Sequence, residues 1–510
     1  MKYGFLIDQR KCIGCHACTV ACKSENEVPL GVFRTWVKYI EKGSFPNTRR
    51  FFEVLRCNHC DDAPCVEICP TNALFRRPDG IVDFDGAACI GCDSCMQACP
   101  YDALYIDPET ETAAKCNFCA HRVDVGLQPA CVIACPTEAI VHGDLDDPNS
   151  RISILVAREP VRVRKPEKGT QPKLSYIDAE EVAITPTEAE RRGTYAWGES
   201  RLKDVWPADE ASLTKAITTY DVDHPKPWRW KVSSYLWTKS IAAGVLLIAG
   251  VLLLLGYASE RVLLGTIAPG ATLVFLGITT ALLIGDLKQP KRFHYVLLRP
   301  NTDSWLFRGA IILGLYGLAS LAWFAMGVLD MGFLTYDSIT TGLLHITGPI
   351  LGIATAVYSA YLFGQCDGRD FWQSPLLVWH LALAAVVAGS AVLLIGGWFV
   401  GSDSGALALL ALVLLASVIV NLLVVLTDLQ SHGTEDVRKA AMAIVRGRWR
   451  APFWGIAVAV GGVFPALLLA AVLWRGFDLA FAAIAAILAL VGLFVYEDIW
   501  IKAGQSVPLS

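Results

Sequence analysis

The chain changes character a little before its midpoint. Up to about residue 230, apolar residues come in short groups broken by charges and turn residues; from Ser233 onward they run almost unbroken. Stretches of about 20 apolar residues, the length that crosses a bilayer, stand at roughly 234–258, 262–284, 305–327, 340–364, 376–400, 405–428, 453–475 and 478–500. They are too long and too uniformly apolar for core helices of a water-soluble fold. Gly, Ala, Ser and Thr recur inside them, as close helix packing in lipid favours. Residues 233–510 therefore read as an all-α transmembrane bundle of about eight helices.

The polar part has a different rhythm. Residues 73–75 and 81–84 are short β-type segments around the turn Arg77-Pro-Asp-Gly80, and 103–106 followed by Asp107-Pro108 repeats the arrangement. Each follows a run of cysteines, so the unit is a Cys run, a short helix and a hairpin, present twice. Residues 1–150 form an α+β ferredoxin-like domain on this reading. Residues 151–232 are rich in Pro, Lys, Glu and Thr with weak periodicity. They read as a connector, either an arm laid on a partner or a tether.

The cysteines decide the chemistry. Of 17, only Cys366 lies outside four runs. The runs comprise Cys12, Cys15, Cys18 and Cys22; Cys57, Cys60, Cys65 and Cys69; Cys89, Cys92, Cys95 and Cys99; and Cys116, Cys119, Cys131 and Cys135. In the last three runs a Pro follows the fourth Cys. Soft thiolates so spaced are the ligand pattern of bacterial ferredoxin clusters, where the fourth Cys serves the other cluster of a pair. Four runs predict four 4Fe-4S clusters. Disulfide frameworks belong to short secreted chains, and zinc ribbons need neither the third Cys nor the Cys-Pro. Lys11, Arg56 and Lys115, beside the runs, either tune the anionic clusters or are solvated surface charges.

Charge narrows the setting. The net charge of −4 identifies no partner, and no basic stripe interleaved with aromatics suggests nucleic acid. Lys226, Arg229 and Lys231 precede the first span. Lys288, Lys291, Arg292 and Arg299 lie between the second and third, and Arg438, Lys439, Arg446, Arg448 and Arg450 between the sixth and seventh. The opposite side shows only Arg261 and Arg475. The positive-inside rule then puts the cysteine domain on the cytoplasmic face of the inner membrane. Residues 1–10 carry no signal-peptide pattern, which agrees. The competing account is that these loops are basic because they dock the cysteine domain.

Between the second and third expected spans, Asp286, Leu287, Pro290, Arg292, Phe293, Leu297, Pro300, Ser304 and Trp305 resemble an element of the NrfD/polysulfide-reductase membrane anchors. The cysteine domain is similar to the four-cluster electron-transfer subunits of polysulfide, dimethyl sulfoxide and related molybdopterin oxidoreductases. Two subunits that are usually separate would be fused here. The resemblance implies one cluster on Cys12, Cys15, Cys18 and Cys135 and a second on Cys116, Cys119, Cys131 and Cys22. It implies a third on Cys57, Cys60, Cys65 and Cys99 and a fourth on Cys89, Cys92, Cys95 and Cys69. It further implies a quinone site in the bundle and a separate catalytic subunit carrying molybdenum or tungsten on a pterin.

Ionisable groups inside a bilayer are costly, so they are functional candidates by default. Four are candidates for the quinone site: Lys239, Asp286, His345 and Tyr358. Asp286 is either a partner of Arg292 or a loop cap. His345 is a proton relay or a packing histidine, and Lys239 reaches a ligand or snorkels to the interface. Asp428, Glu497 and Asp498 sit at helix ends and read as interfacial, and Trp237, Trp305, Trp372, Trp379 and Trp500 as an interfacial belt. The expected function is electron transfer and membrane anchoring for a quinone-linked oxidoreductase, not substrate turnover by this chain alone. The competing readings are an electron-transfer module of a hydrogenase-like or alternative quinol-oxidising complex, and a redox-driven ion translocator.

Overall fold

The computed structural model describes residues 1–191, 216–329, 339–430, 433–476 and 478–510. Its strands there are β1 (Tyr3–Asp8), β2 (Thr35–Ser44), β3 (Asn47–Arg56), β4 (Leu74–Arg76), β5 (Val82–Phe84), β6 (Leu104–Ile106), β7 (Ala113–Lys115), β8 (Ile140–Asp144), β9 (Val161–Arg162), β10 (Leu174–Ile177), β11 (Glu190–Arg191) and β12 (Ala216–Tyr220). The two expected hairpins are β4–β5 and β6–β7. In the first, Gly80 closes the turn with φ of 78°, a conformation that a side chain would strain.

One sheet has the order β8-β1-β10-β9. Its central strand β1 is buried on both faces, and the period of two decides what each face meets. Phe5 and Ile7 pack with the cysteine-lined core; Leu6 packs with Ile152 of the helix Arg151–Arg158. The parallel partner β10 lies beyond residue 150, so the expected end of the domain at 150 falls inside a sheet. A four-residue strand, Leu174-Ser-Tyr-Ile177, amid Pro and Lys is too short to announce itself by periodicity, yet β1 needs both edges paired. The second sheet, β11-β12-β2-β3, likewise draws two strands from the expected connector. Residues 192–215 of that connector lie outside the described residues.

Among the described residues, eight helices are long and apolar enough to cross a membrane. The spans are Trp230–Leu254, Leu263–Asp286, Trp305–Val328, Ile339–Gly364, Leu377–Val400, Ser404–Gln430, Arg450–Arg475 and Leu479–Gly504. The chain is a multi-pass membrane protein. The first span is central, packed against the second, fourth, fifth and eighth. It crosses the fifth so closely that a Cβ on Gly244 would stand 1.7 Å from the Ala385 carbonyl oxygen. The seventh and eighth meet through Gly461 and Gly492 in the same manner. The seventh also runs as a π-helix over Phe453–Val463, wider than an α-helix.

Candidate functional site

The cysteine loops are built to turn sharply around their thiols. His16, His59, Asp93, Phe118 and Cys119 all take positive φ, as do Gly14 and Gly91. These turns aim backbone N–H groups at sulfur: His59 at Cys57 Sγ (3.4 Å), Gly91 and Ala113 at Cys89 Sγ (3.4 Å each), and Ala139 at Cys135 Sγ (3.2 Å). Donors so placed favour the thiolate form. Arg56, buried against Phe5 with its guanidinium 4.6 Å from the ring centre, donates to Cys131 Sγ at 3.1 Å. Lys115 donates to the carbonyl oxygens of Cys116, at 3.0 Å, and Val82.

The thiols of different runs stand close enough to act on one another. Burial pushes Cys22 up, and the nearby thiols of Cys116, Cys131 and Cys119 push it further. Cys65 is raised by burial and then by Cys99, Cys57 and Cys60. For Cys95, after burial, the neighbours are Cys92, Cys89 and Cys69. Cys12 feels Cys135 and Cys15, and Cys18 feels Cys12. Cys18 and Cys131, Cys116 and Cys57, and Cys95 and Cys65 also act on one another across these sets. The sets form a row. Among the described residues no group of three or more His, Cys, Asp or Glu is placed to hold a single metal ion.

The end of the row containing Cys89, Cys92, Cys95 and Cys69 is gripped by the loop between the second and third spans. Lys288 and Gln289 donate their backbone N–H groups to the carbonyls of Gly91 (3.0 Å) and Ile90 (3.1 Å). Arg292 donates to Gly86 O and Cys89 O at 2.8 and 3.0 Å. Asn301 Nδ2 reaches Val66 O, Glu67 O and Cys69 O, the last at 2.8 Å, and Ser304 Oγ donates to Ile68 O at 2.7 Å. Arg292 is thus spent on the cysteine loop. Asp286 instead faces Lys231, at 3.9 Å, so its expected pairing with Arg292 is not formed.

Beneath this junction lies a cavity of about 870 Å³, apolar over most of its wall. Cys92, Ser94, Trp228, Tyr235, Asp286 and Tyr358 line it. Two of the four sequence candidates, Asp286 and Tyr358, therefore meet there. Lys239 stands behind Tyr358, its Nζ 5.0 Å from the ring centre, donating to Ala356 O (2.8 Å) and Ser359 Oγ (2.9 Å). It is wholly buried, not snorkelling. His345 is elsewhere. It precedes Tyr358 by 358 − 345 = 13 residues on the same span, roughly 20 Å along a helix, and packs by Trp323 at 5.5 Å.

Sequence reasoning missed two groups here. Tyr235 and Trp228 lie on or beside a span, where an aromatic residue reads as interfacial. Trp228 stacks on Trp372 (5.3 Å), which in turn faces Trp500 (5.8 Å). Trp372 and Trp500 are buried at the junction of the two halves, so neither belongs to a lipid-facing belt. Glu497 is buried, 1% exposed, not interfacial. The signal was available: Ala489, Leu493, Glu497 and Trp500 fall at helical spacing on one buried face.

Residues 220–508 match the family described as polysulphide reductase, NrfD. This chain is a member of that family. Ahead of this NrfD part, residues 48–145 match a 4Fe-4S dicluster domain and residues 3–24 a 4Fe-4S binding domain; the thiol loops hold 4Fe-4S clusters. A tetrathionate reductase subunit from Salmonella typhimurium is 48% identical over 190 residues, 36% of this chain and 76% of that protein. A polysulfide reductase chain from Wolinella succinogenes is 44% identical over 181 residues, covering 34% and 94%. The arsenate respiratory reductase iron-sulfur subunit of a Shewanella species is 37% identical over 227 residues, covering 35% and 96%. This NrfD-family chain is a fused iron–sulfur and membrane-anchor protein.

Proposed function

We propose that this chain carries electrons between a separate molybdopterin catalytic subunit and the membrane quinone pool, through four clusters, one per thiol quartet. The quartets are those expected from the resemblance: Cys12, Cys15, Cys18 and Cys135; Cys116, Cys119, Cys131 and Cys22; Cys57, Cys60, Cys65 and Cys99; and Cys89, Cys92, Cys95 and Cys69. The clusters supply one-electron carriers of tunable potential. The observation that carries the reading is that Cys92, at one end of the row, lines the large apolar cavity among the spans. A quinone headgroup suits that cavity. Tyr235, Tyr358 and Asp286 supply polar groups that orient such a ligand, in a wall that is mostly apolar and rich in Leu. His345, far along its span, takes no part.

The row's other end carries Cys15, exposed, with Ile13, Val20 and Ile133 exposed around it. That is the end available to a catalytic partner. On the basic-loop argument the cysteine domain faces the cytoplasm; protease applied to the outer face of intact cells should leave it uncut. The purified chain should yield iron and sulfide for four clusters and EPR signals on reduction. A quinol added to oxidised protein should then reduce them. Protein that holds its clusters yet accepts no electrons from any quinol, or donates none to a quinone, removes the quinone reading.

A further inference from the structure

Behind the cavity wall lies a second polar feature, which the quinone reading leaves without a task. Glu497 of the eighth span is buried, and neither carboxylate oxygen has a hydrogen-bond partner among the described residues. The eighth span packs against the first, which carries Lys239, and across that interface, without direct contact, each of the two opposite charges favours the other. Lys239 in turn touches Tyr358, which lines the cavity. An acid held in a bilayer without hydrogen bonds is expensive. A buried ion pair kept only for stability is commonly replaceable by apolar residues at no loss.

The pair also has a way out. Next to Glu497, Tyr496 stacks edge-on with the His380 ring at 5.0 Å, and His380 Nδ1 lies 2.9 Å from Asn421 Oδ1. Asn421 and Tyr496 line a cavity of about 40 Å³, room for a water between them. His380, Tyr496 and Asp428 also face one crevice too narrow for a water, which brings the three side chains together. Asp428 accepts from Ser374 near the end of the sixth span on the cysteine-domain side. Groups able to hold or pass a proton thus follow one another from that surface inward to Glu497.

We propose that Lys239 and Glu497 are a proton-holding pair for the quinone cavity, connected to the cysteine-domain side of the membrane through Tyr496, His380, Asn421 and Asp428. This rests on the quinone reading above. Oxidising a quinol to a quinone releases two electrons and two protons. The electrons leave one at a time toward the clusters; the protons pass by Tyr358 to the pair and out along the lane. Reduction runs the same lane inward. Lys239 and Glu497 are positioning and proton-carrying residues and do not contact the ring.

The test uses the full chain with its clusters, in detergent, with decylubiquinol and menadiol as the probes. Glu497→Gln should slow quinol-driven cluster reduction about tenfold or more, less than the ~10²–10⁴-fold lost with an acid–base group that contacts the reacting atoms. Reduction by dithionite and cluster content should stay as in wild type. Glu497→Asp, which keeps a carboxyl, should recover most of the rate. The redox-difference infrared spectrum should contain a buried carboxyl band that Glu497→Gln lacks. If the Gln variant reduces within twofold of wild type and the spectrum is unchanged, the lane is wrong while the quinone site stands. If Lys239→Met with Glu497→Gln restores the wild-type rate, the pair is structural and the proposal is overturned. Wild-type protein that no quinol reduces overturns both.

Discussion

A single guanidinium shows how closely the fold attends to sulfur. Arg56 is buried, and its contact with Cys131 Sγ is charge-assisted. Replacing it with Met removes a cation beside the quartet of Cys22, Cys116, Cys119 and Cys131, which makes an added electron harder to hold. A hydrogen bond from a charged group is worth about 1.5–3 kcal/mol, and 59 mV corresponds to ~1.4 kcal/mol for one electron. One cluster in Arg56→Met should therefore titrate on the order of 60 mV more negative in a redox-poised EPR series, with the cluster on Cys18 shifted less and the other two unmoved. Asp367 makes the case for a proton. Burial raises its carboxyl to about 6 from the ordinary 3.8, while Lys168 opposes the shift. Between those values the unfolded chain has released a proton that the folded one keeps. This residue's contribution is thus fully present below about pH 4 and is lost as pH rises to about 6. Asp367→Asn should flatten that part of the thermal-midpoint profile in detergent. It should gain about 1 kcal/mol at pH 7, because two units are worth ~3 kcal/mol before partial exposure is discounted.

At the scale of elements, the loop between the second and third spans acts as a clamp. Several of its side chains donate to carbonyls of the cysteine loops. Asn301 alone serves three of those carbonyls and, through its own N–H, Pro70 O at 3.2 Å. Asn301→Ala strands buried acceptors at about 1–3 kcal/mol each. Hydrogen exchange over residues 64–70 should rise, and quinol-driven reduction should slow although iron content holds. The clamp also reinterprets the charge of these loops. Lys288 lies 3.9 Å from Asp93 and Arg299 3.6 Å from Asp85, so part of the basic bias serves docking. Element identity was legible in advance, since bilayer-length apolar runs and Cys spacing are strong, local signals. Boundaries were less so. The first span runs Trp230–Leu254, four residues earlier than expected at each end, because Gly256 takes φ of 92° and ends the helix.

For the whole molecule, what the sequence left hidden is how its two halves share residues. Motif spacing identified thiols within a run, but β10 joining β1, β12 joining β2, and the eighth span packing on the first are long-range events that no local period encodes. His345 shows the converse: a residue singled out by type alone, which the packing carries away from the cavity. Cross-contacts continue to the last described residues. Arg164 donates to Leu509 O at 2.8 Å and Arg191 to Ser510 O, while Gln97 Nε2 donates to Gln505 Oε1 at 2.8 Å. Arg164 and Glu53, 3.4 Å apart, are both buried beside them. The iron–sulfur relatives align with little more than a third of this chain yet over most of their own length, so the covalent link should not be what holds the halves together. A break between Arg191 and Ala216 leaves β12 on the membrane piece, still able to pair with β2 over Ala216–Lys42 to Tyr220–Tyr39. With the clamp and the Arg164 and Arg191 contacts intact, the two pieces, co-expressed, should copurify in detergent and keep quinol-driven cluster reduction close to that of the intact chain. Adding Asn301→Ala and Arg292→Ala to the split form should separate the pieces on a sizing column, whereas the same pair in the intact chain should only slow electron transfer. Split pieces that part without those substitutions would mean that the tether, not the interface, sets the geometry of the wire.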